Sequence, residues 1–208
     1  MKFKMNVPNT LTMIRIFCTP LMILMFLLPI PKGIGIFVAL GIYVLACITD
    51  FLDGYIARKY NMITDFGKFM DQIADKFITT TAMILVLFGK GLVTAGWLSI
   101  IMVLIVVLRD ILISGIRMVA ANKNFVIAAD IFGKVKSLFL DLAAMVLMLY
   151  VGLREAATGE FLRYVQVFGL SLMIIGVALA VVSCVNYTMN AIKKLNQQEV
   201  EEPVEDDE

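Results

Sequence analysis

Four aspartates lie within a 26-residue stretch of an otherwise apolar chain, and their spacing forms two pairs. Asp50 and Asp53 are three residues apart, and Asp71 and Asp75 are four residues apart. Side chains three or four positions apart share one face of an α-helix, so each pair is predicted to point the same way. A short turn near residues 61–64 is predicted to fold the two helices antiparallel, which would bring all four carboxylates to one cavity.

Carboxylates that share a cavity repel one another and require cations. Mg²⁺ and Mn²⁺ prefer oxygen ligands, and four carboxylates can hold two such ions bridged by a substrate phosphate. Gly54, Ala57 and Gly67 are predicted to leave room there for a diphosphate or a nucleoside. Arg58 offers a guanidinium fork for phosphate. The alternative is that the acids only form salt bridges with the neighbouring basic residues Arg58, Lys59, Lys68 and Lys76.

A second group of ionisable residues interrupts the later apolar runs: Arg109, Asp110, Arg117, Lys134 and Lys136. Asp110 and Arg117 are seven residues apart and could pair on one helix face. Cations beside an anionic metal site suit a substrate that carries a phosphate group. Arg117 and Lys134 are predicted to bind that phosphate, while Arg109 assists directly or by positioning Asp110. Alternatively, Arg109 is a helix-end charge that either snorkels to the membrane surface or forms an ion pair.

The residue types that are missing narrow the possible chemistry. The chain has no histidine, which excludes His-based acid–base catalysis and His-ligated metals. Its three cysteines lie far apart in apolar stretches and form no disulfide or zinc pattern. Any proton transfer must therefore be carried out by carboxylates, lysines or tyrosines. Asp75, four residues deeper along its helix than Asp71, is the predicted catalytic base as well as a metal ligand.

Six apolar helices are predicted to position these residues. Hydrophobic residues make up 61% of the chain and charged residues 17%, whereas soluble proteins are roughly 45–50% apolar. The composition therefore predicts an all-α integral membrane protein, whose spans need ~20 residues each. One membrane domain is expected over residues 1–195. Its predicted spans cover about residues 9–28, 33–60, 65–88, 94–121, 131–153 and 159–194.

The distribution of charge predicts the orientation. Seven of the 17 acidic residues lie in the last ten positions, and the rest of the chain carries a net charge of +8. Most basic residues fall at the end of the bundle that carries the aspartates, whereas Lys32, Lys90, Arg154 and Arg163 fall at the other. Positive segments stay in the cytoplasm, so the site and both termini are expected on the cytoplasmic side of the cell membrane.

The acidic residues 196–208 are expected to be a disordered tail. No nucleic-acid-binding motif is present in the sequence.

The aspartate stretch resembles a known family signature. Asp50-x2-Asp53-Gly54-x2-Ala57-Arg58-x8-Gly67-x3-Asp71-x3-Asp75 is similar to the motif of the CDP-alcohol phosphatidyltransferases. The resemblance implies a six-helix membrane enzyme, a homodimer, a divalent-metal site open to the cytoplasm, and CDP-diacylglycerol as the donor. It also implies that Pro8, Asn9 and Thr64 lie near the donor's nucleotide. Helix-start and turn roles would equally account for those three residues.

Three further stretches resemble the branch of that family that uses sn-glycerol 3-phosphate as acceptor. They are N-V-P-N-T-L-T-M-I-R, R-D-I-L-I-S-G-I-R and G-K-V-K-S, with Asp110 and Ser137 in place of the more common Glu and Thr. The resemblance implies transfer of a phosphatidyl group to sn-glycerol 3-phosphate, with release of CMP. Two alternatives stay open: the same donor with serine, inositol phosphate or phosphatidylglycerol as acceptor, and a cation-coupled transporter.

Overall fold

The computed structural model describes residues 7–60, 65–89, 96–122, 131–156 and 158–201. This part of the chain contains six α-helices and no strand, so the predicted all-α fold is confirmed. A short 3-10 turn, Pro31–Gly33, joins the first two helices. The helices are α1 (Val7–Leu27), α2 (Ile34–Lys59), α3 (Asp65–Phe88), α4 (Gly96–Asn122), α5 (Ile131–Ala156) and α6 (Glu160–Glu201).

Five of the six helices are long and apolar enough to cross a membrane, and the chain is a multi-pass membrane protein. The spanning segments are Asn9–Leu27, Ile34–Ala57, Gly96–Ala120, Val135–Ala156 and Glu160–Lys193. Six spans were predicted, and among the described helices α3 is the one that does not meet this criterion. Its first three turns carry five charged residues, Asp65, Lys68, Asp71, Asp75 and Lys76. Its second half carries no charged residue, but α3 as a whole does not reach the hydropathy of the five spanning candidates.

Local sequence explains where two of the helices begin and end. α1 ends at Leu27, just before Pro29 and Pro31, which lack the amide hydrogen a continuing helix needs. Gly33 then adopts a φ of 69°, and a Cβ there would lie 2.6 Å from the carbonyl oxygen of Gly152, so glycine is required. α6 extends to Glu201, past the predicted end of the last span, because no proline interrupts the chain before Pro203.

The interior of the bundle is apolar and lies mainly between α1, α2, α3 and α5. Its fully buried members include Met22, Tyr43, Ala82, Leu140 and Met148. Large apolar side chains on the outer faces of the helices are exposed instead, which is the pattern expected where lipid is the solvent. Examples are Phe17, Leu45, Phe77, Leu104 and Phe168.

Small residues bring α5 and α6 into close contact. A Cβ added to Gly169 would lie 2.8 Å from the Leu147 side chain, and one added to Gly176 would lie 2.6 Å from Leu140. The two glycines and the two leucines are each seven residues apart, so they form matching steps along the helix pair. In membranes such close packing of small residues drives helix association, because the hydrophobic effect provides no driving force between helices that are surrounded by lipid.

Candidate metal and substrate site

Three aspartates converge at one end of the bundle, and a buried arginine connects them. The Arg15 guanidinium on α1 donates to Asp50 Oδ1, to Asp53 Oδ2 at 2.5 Å, and to Asp71 Oδ1 at 3.4 Å. Arg15 is only 2% exposed. α2 supplies Asp50 and Asp53, and α3 supplies Asp71, so the predicted meeting of the two aspartate pairs holds for these three residues. We call them the aspartate cluster.

The aspartate cluster has the composition of a divalent-metal site. One carboxylate oxygen from each of Asp50, Asp53 and Asp71 lies within 4.8 Å of the others. An octahedral Mg²⁺ ion with bonds of ~2.1 Å keeps its ligand oxygens ~3–4 Å apart, close to this spacing. One guanidinium against three carboxylates leaves an excess of two negative charges. The cluster can therefore accept a divalent cation, and its all-oxygen ligands fit Mg²⁺ or Mn²⁺.

Asp75 lies apart from these three, on the next turn of α3. With Asp50, Arg15, Thr79 and Asp141 it lines a small cavity of about 40 Å³ between α1, α2, α3 and α5. This position is four residues deeper than Asp71 along α3. Asp75 thus faces a polar cavity beside the aspartate cluster. Its two predicted roles, metal ligand and catalytic base, both require such a position.

Asp141 is a half-buried acid that sequence reasoning missed. It lies in the middle of α5, where its Oδ1 accepts hydrogen bonds from the Tyr43 hydroxyl at 2.9 Å and the Thr79 hydroxyl at 3.1 Å. Ionisable residues inside membrane helices are costly and usually have a function. A single acid in the apolar run of the fifth span was the available signal. The sequence alone could not show that this acid faces the site.

Beside the aspartate cluster, a second polar group gathers around Asp110. The Oδ1 atom of Asp110 accepts hydrogen bonds from Arg109 Nη1 at 2.9 Å and from Lys136 Nζ at 2.6 Å. Lys76 Nζ donates to the Asp110 carbonyl oxygen at 3.3 Å and to Ser114 Oγ. We call Lys76, Arg109, Asp110 and Lys136 the basic cluster, since three cations surround one carboxylate. Lys76 lies five residues after Asp71, so α3 contributes one residue to each cluster.

The structure corrects one predicted pairing. Sequence spacing allowed Asp110 to pair with Arg117, but Lys136 reaches across from α5 and takes the carboxylate together with Arg109. The Arg117 guanidinium lies instead over the ring of Tyr187 on α6, 5.6 Å from its centre. Arg117 is exposed, and this cation–π contact holds its side chain against α6.

Arg109 has a supporting position. Besides Asp110, its guanidinium donates to Ser183 Oγ on α6 at 2.7 Å, and its side chain is only 10% exposed. Arg109 lies in the middle of α4 and is ion-paired with Asp110, an arrangement that suits both the predicted role of positioning Asp110 and the ion-paired alternative. Lys136 was not among the predicted phosphate-binding residues, although it lies in the G-K-V-K-S stretch.

The predicted donor-binding residues are only partly described. Gly54, Ala57 and Gly67 lie on α2 and α3 within two turns of the aspartate cluster, and Asn9 is buried near the start of α1. Thr64 lies outside the described residues. So do the side chains of Pro8, Arg58 and Lys134, whose backbones belong to α1, α2 and α5.

Comparison with known proteins agrees with this geometry. The profile of the CDP-alcohol phosphatidyltransferase family matches residues 5–184. A Rickettsia bellii protein is 33% identical over 93% of this chain and 99% of its own length. A Bacillus subtilis protein is 33% identical over 70% of this chain and 77% of its own length. An Escherichia coli K12 protein is 34% identical over 64% of this chain and 70% of its own length. All three are named CDP-diacylglycerol--glycerol-3-phosphate 3-phosphatidyltransferase. The chain described here therefore belongs to the CDP-alcohol phosphatidyltransferase family.

Proposed function

We propose that this protein transfers the phosphatidyl group of CDP-diacylglycerol to sn-glycerol 3-phosphate, giving phosphatidylglycerophosphate and CMP. The observation that carries the proposal is the aspartate cluster, which lies at the family's signature positions and adjoins a basic cluster. The similarity to relatives named for this reaction supports the choice of acceptor.

The aspartate cluster would bind the donor through metal. Asp50, Asp53 and Asp71, with Asp75 as a further candidate ligand, would hold two Mg²⁺ or Mn²⁺ ions. When bound, these ions neutralise charge on the donor's diphosphate and favour CMP as the leaving group. Gly54, Ala57 and Gly67 would leave space for the nucleotide and diphosphate. Arg58, Pro8, Asn9 and Thr64 complete the proposed donor site.

The basic cluster and Arg117 would recognise the acceptor. Its glycerol phosphate carries up to two negative charges, which match the surplus of cations around Asp110. Arg117 and Lys134 are the proposed phosphate ligands, and Arg109 keeps Asp110 and Lys136 in place. Serine is a zwitterion without net charge, so its carboxylate would gain less from these cations than a phosphate with up to two negative charges, and the arrangement favours glycerol phosphate over serine.

Asp75 is the proposed general base. It lies between the two clusters in sequence and in space, next to Lys76 and in the cavity that Asp50 lines. It would take the proton of the attacking hydroxyl as the new bond to the donor's β-phosphorus forms and the bond to CMP breaks. The transfer is direct, with no covalent enzyme intermediate.

Replacement of one aspartate tests the proposed metal dependence. The purified protein in lipid nanodiscs should release CMP from CDP-diacylglycerol and glycerol 3-phosphate when Mg²⁺ or Mn²⁺ is present. Asp53→Asn should reduce this rate about 1000-fold, because the buried Asp53 carboxylate is lost from the ligand set.

The matched control is Glu155→Gln, which removes an exposed acid at the opposite end of the bundle. It should retain the wild-type rate, and both variants should elute as folded protein in size-exclusion chromatography. Substantial CMP release by the wild type in excess chelator, or by Asp53→Asn, would contradict the proposed metal site.

A further inference from the structure

Arg15 is the only charged residue in α1, and it is buried beneath the aspartate cluster. Its side chain is 1% exposed, whereas the side chains of Asp50 and Asp71 are 41% and 47% exposed. The arginine therefore contacts the carboxylates from the protein interior, and the open sides of Asp50 and Asp71 face away from it. An arriving ion would approach from those open sides.

The charge of Arg15 acts differently before and after a metal binds. Three carboxylates this close repel one another, and a buried guanidinium that contacts all three offsets that repulsion. A divalent ion on the open side brings the same compensation. Once the ion is bound, the positive charge of the Arg15 guanidinium repels it and weakens its binding.

We propose that Arg15 is the resident counter-ion of the aspartate cluster: it holds the carboxylates together without metal, and its charge weakens the binding of divalent ions. The inference rests on the metal site of the proposed function, but it concerns a residue outside that ligand set. Arg15 engages one oxygen each of Asp50, Asp53 and Asp71. The remaining oxygens of the half-exposed Asp50 and Asp71 stay within reach of an ion, so arginine and metal can be bound together.

The test compares Arg15→Gln with the wild type as metal-stripped full-length protein in nanodiscs. The midpoint of thermal unfolding is measured in chelator and in Mn²⁺, and free Mn²⁺ is followed by electron paramagnetic resonance. We expect Arg15→Gln to unfold at a lower temperature in chelator and to gain more stability from Mn²⁺ than the wild type does. Its Mn²⁺ dissociation constant should fall by about tenfold or more, because a nearby positive charge is gone.

Two further variants separate charge compensation from a simple loss of packing. Arg15→Gln combined with Asp50→Asn removes one charge of each sign, so it should regain part of the lost midpoint in chelator. Arg154→Gln, which removes an exposed arginine at the opposite end, should change neither measurement. If Arg15→Gln folds only with Mn²⁺ present, the proposal is supported.

An unchanged midpoint in chelator, weaker Mn²⁺ binding by Arg15→Gln, or a double variant no more stable than the single one would overturn the proposal. Failure of the proposed function has a different signature. In that case the wild type would bind no Mn²⁺, while the loss and recovery of the unfolding midpoint would still report on Arg15.

Discussion

At the scale of single residues, the site separates charge into two adjoining groups of opposite sign. Arg15 compensates only part of the aspartate cluster, and Asp110 compensates only part of the charge of the cations around it. A cluster with surplus negative charge attracts divalent ions, and one with surplus positive charge attracts phosphate. α3 carries Asp71 of the aspartate cluster and Lys76 of the basic cluster, with Asp75 between them in sequence. Donor and acceptor would therefore meet at this part of α3.

Arg117 gives a prediction about the acceptor alone. Arg117→Ala should raise the apparent KM for glycerol 3-phosphate and lower kcat/KM by about tenfold to a hundredfold. That range corresponds to ~1.5–3 kcal/mol for one charged hydrogen bond to phosphate. Lys134→Ala should behave in the same way, and the KM for CDP-diacylglycerol should stay unchanged in both. Steady-state kinetics with each substrate varied in turn measures these effects.

Two comparisons sharpen this prediction. Tyr187→Phe keeps the ring beneath Arg117 and should preserve the KM for glycerol 3-phosphate, whereas Tyr187→Leu should raise it. Arg163→Ala removes an exposed arginine at the other end of α6 and should have no effect. Normal acceptor kinetics in both Arg117→Ala and Lys134→Ala would refute the proposed phosphate site.

At the scale of helices, the contact between α5 and α6 holds the basic cluster together. α5 carries Lys136, and α6 carries Ser183, which accepts a hydrogen bond from Arg109. Gly176 lies on α6, seven residues before Ser183, and a Cβ there would lie 2.6 Å from the Leu140 side chain of α5. The separation of the two helices, and with it the geometry around Asp110, therefore depends on the small size of this residue.

Gly176→Leu should force α5 and α6 apart. We expect a lower midpoint of thermal unfolding, with a cost of about 1–3 kcal/mol for overpacking, and a reduced transfer rate. Heating followed by fluorescence-detected size-exclusion chromatography measures the midpoint. Gly41→Leu is the control, since a Cβ at Gly41 meets no atom within 4 Å. Equal stability of the two variants would show that the α5–α6 contact does not limit the fold.

Helical periodicity predicted which residues share a face, but not how each helix is rotated in the bundle. The spacing of Asp50, Asp53 and Asp71 was sufficient to predict that these three residues meet, because both pairs flank one short connection. Arg15 was visible only as a charge in an apolar run. Its contact with the cluster depends on how α1 packs against α2 and α3, and no spacing within one helix encodes that packing.

The pairing of Asp110 shows the same limit. Spacing within α4 suggested Arg117, whereas the true partner Lys136 comes from α5. Asp141 was missed for a related reason, because its partners Tyr43 and Thr79 lie on two other helices. Contacts between helices are set by side-chain packing across the whole bundle, which one sequence without its structure does not show.

At the scale of the whole molecule, the six helices form a membrane scaffold with its polar site at one end. The family resemblance and the excess of positive charge at that end support our proposal that it faces the cytoplasm, where both termini would also lie. Water-soluble glycerol 3-phosphate would enter from that side, and CDP-diacylglycerol from the bilayer. The homodimer that the resemblance implies is also part of this proposal.

Competition among acceptors tests the central claim most directly. Protein in nanodiscs receives CDP-diacylglycerol, Mg²⁺, and equal amounts of isotopically labelled sn-glycerol 3-phosphate, serine, inositol phosphate and phosphatidylglycerol. Mass spectrometry then identifies the lipid products and quantifies CMP. We predict that labelled phosphatidylglycerophosphate is the dominant new lipid and forms in equal amount to CMP, because the basic cluster and Arg117 suit an acceptor phosphate and the similar proteins are named for glycerol 3-phosphate. A dominant product from any other acceptor, or no product at all, would contradict the account.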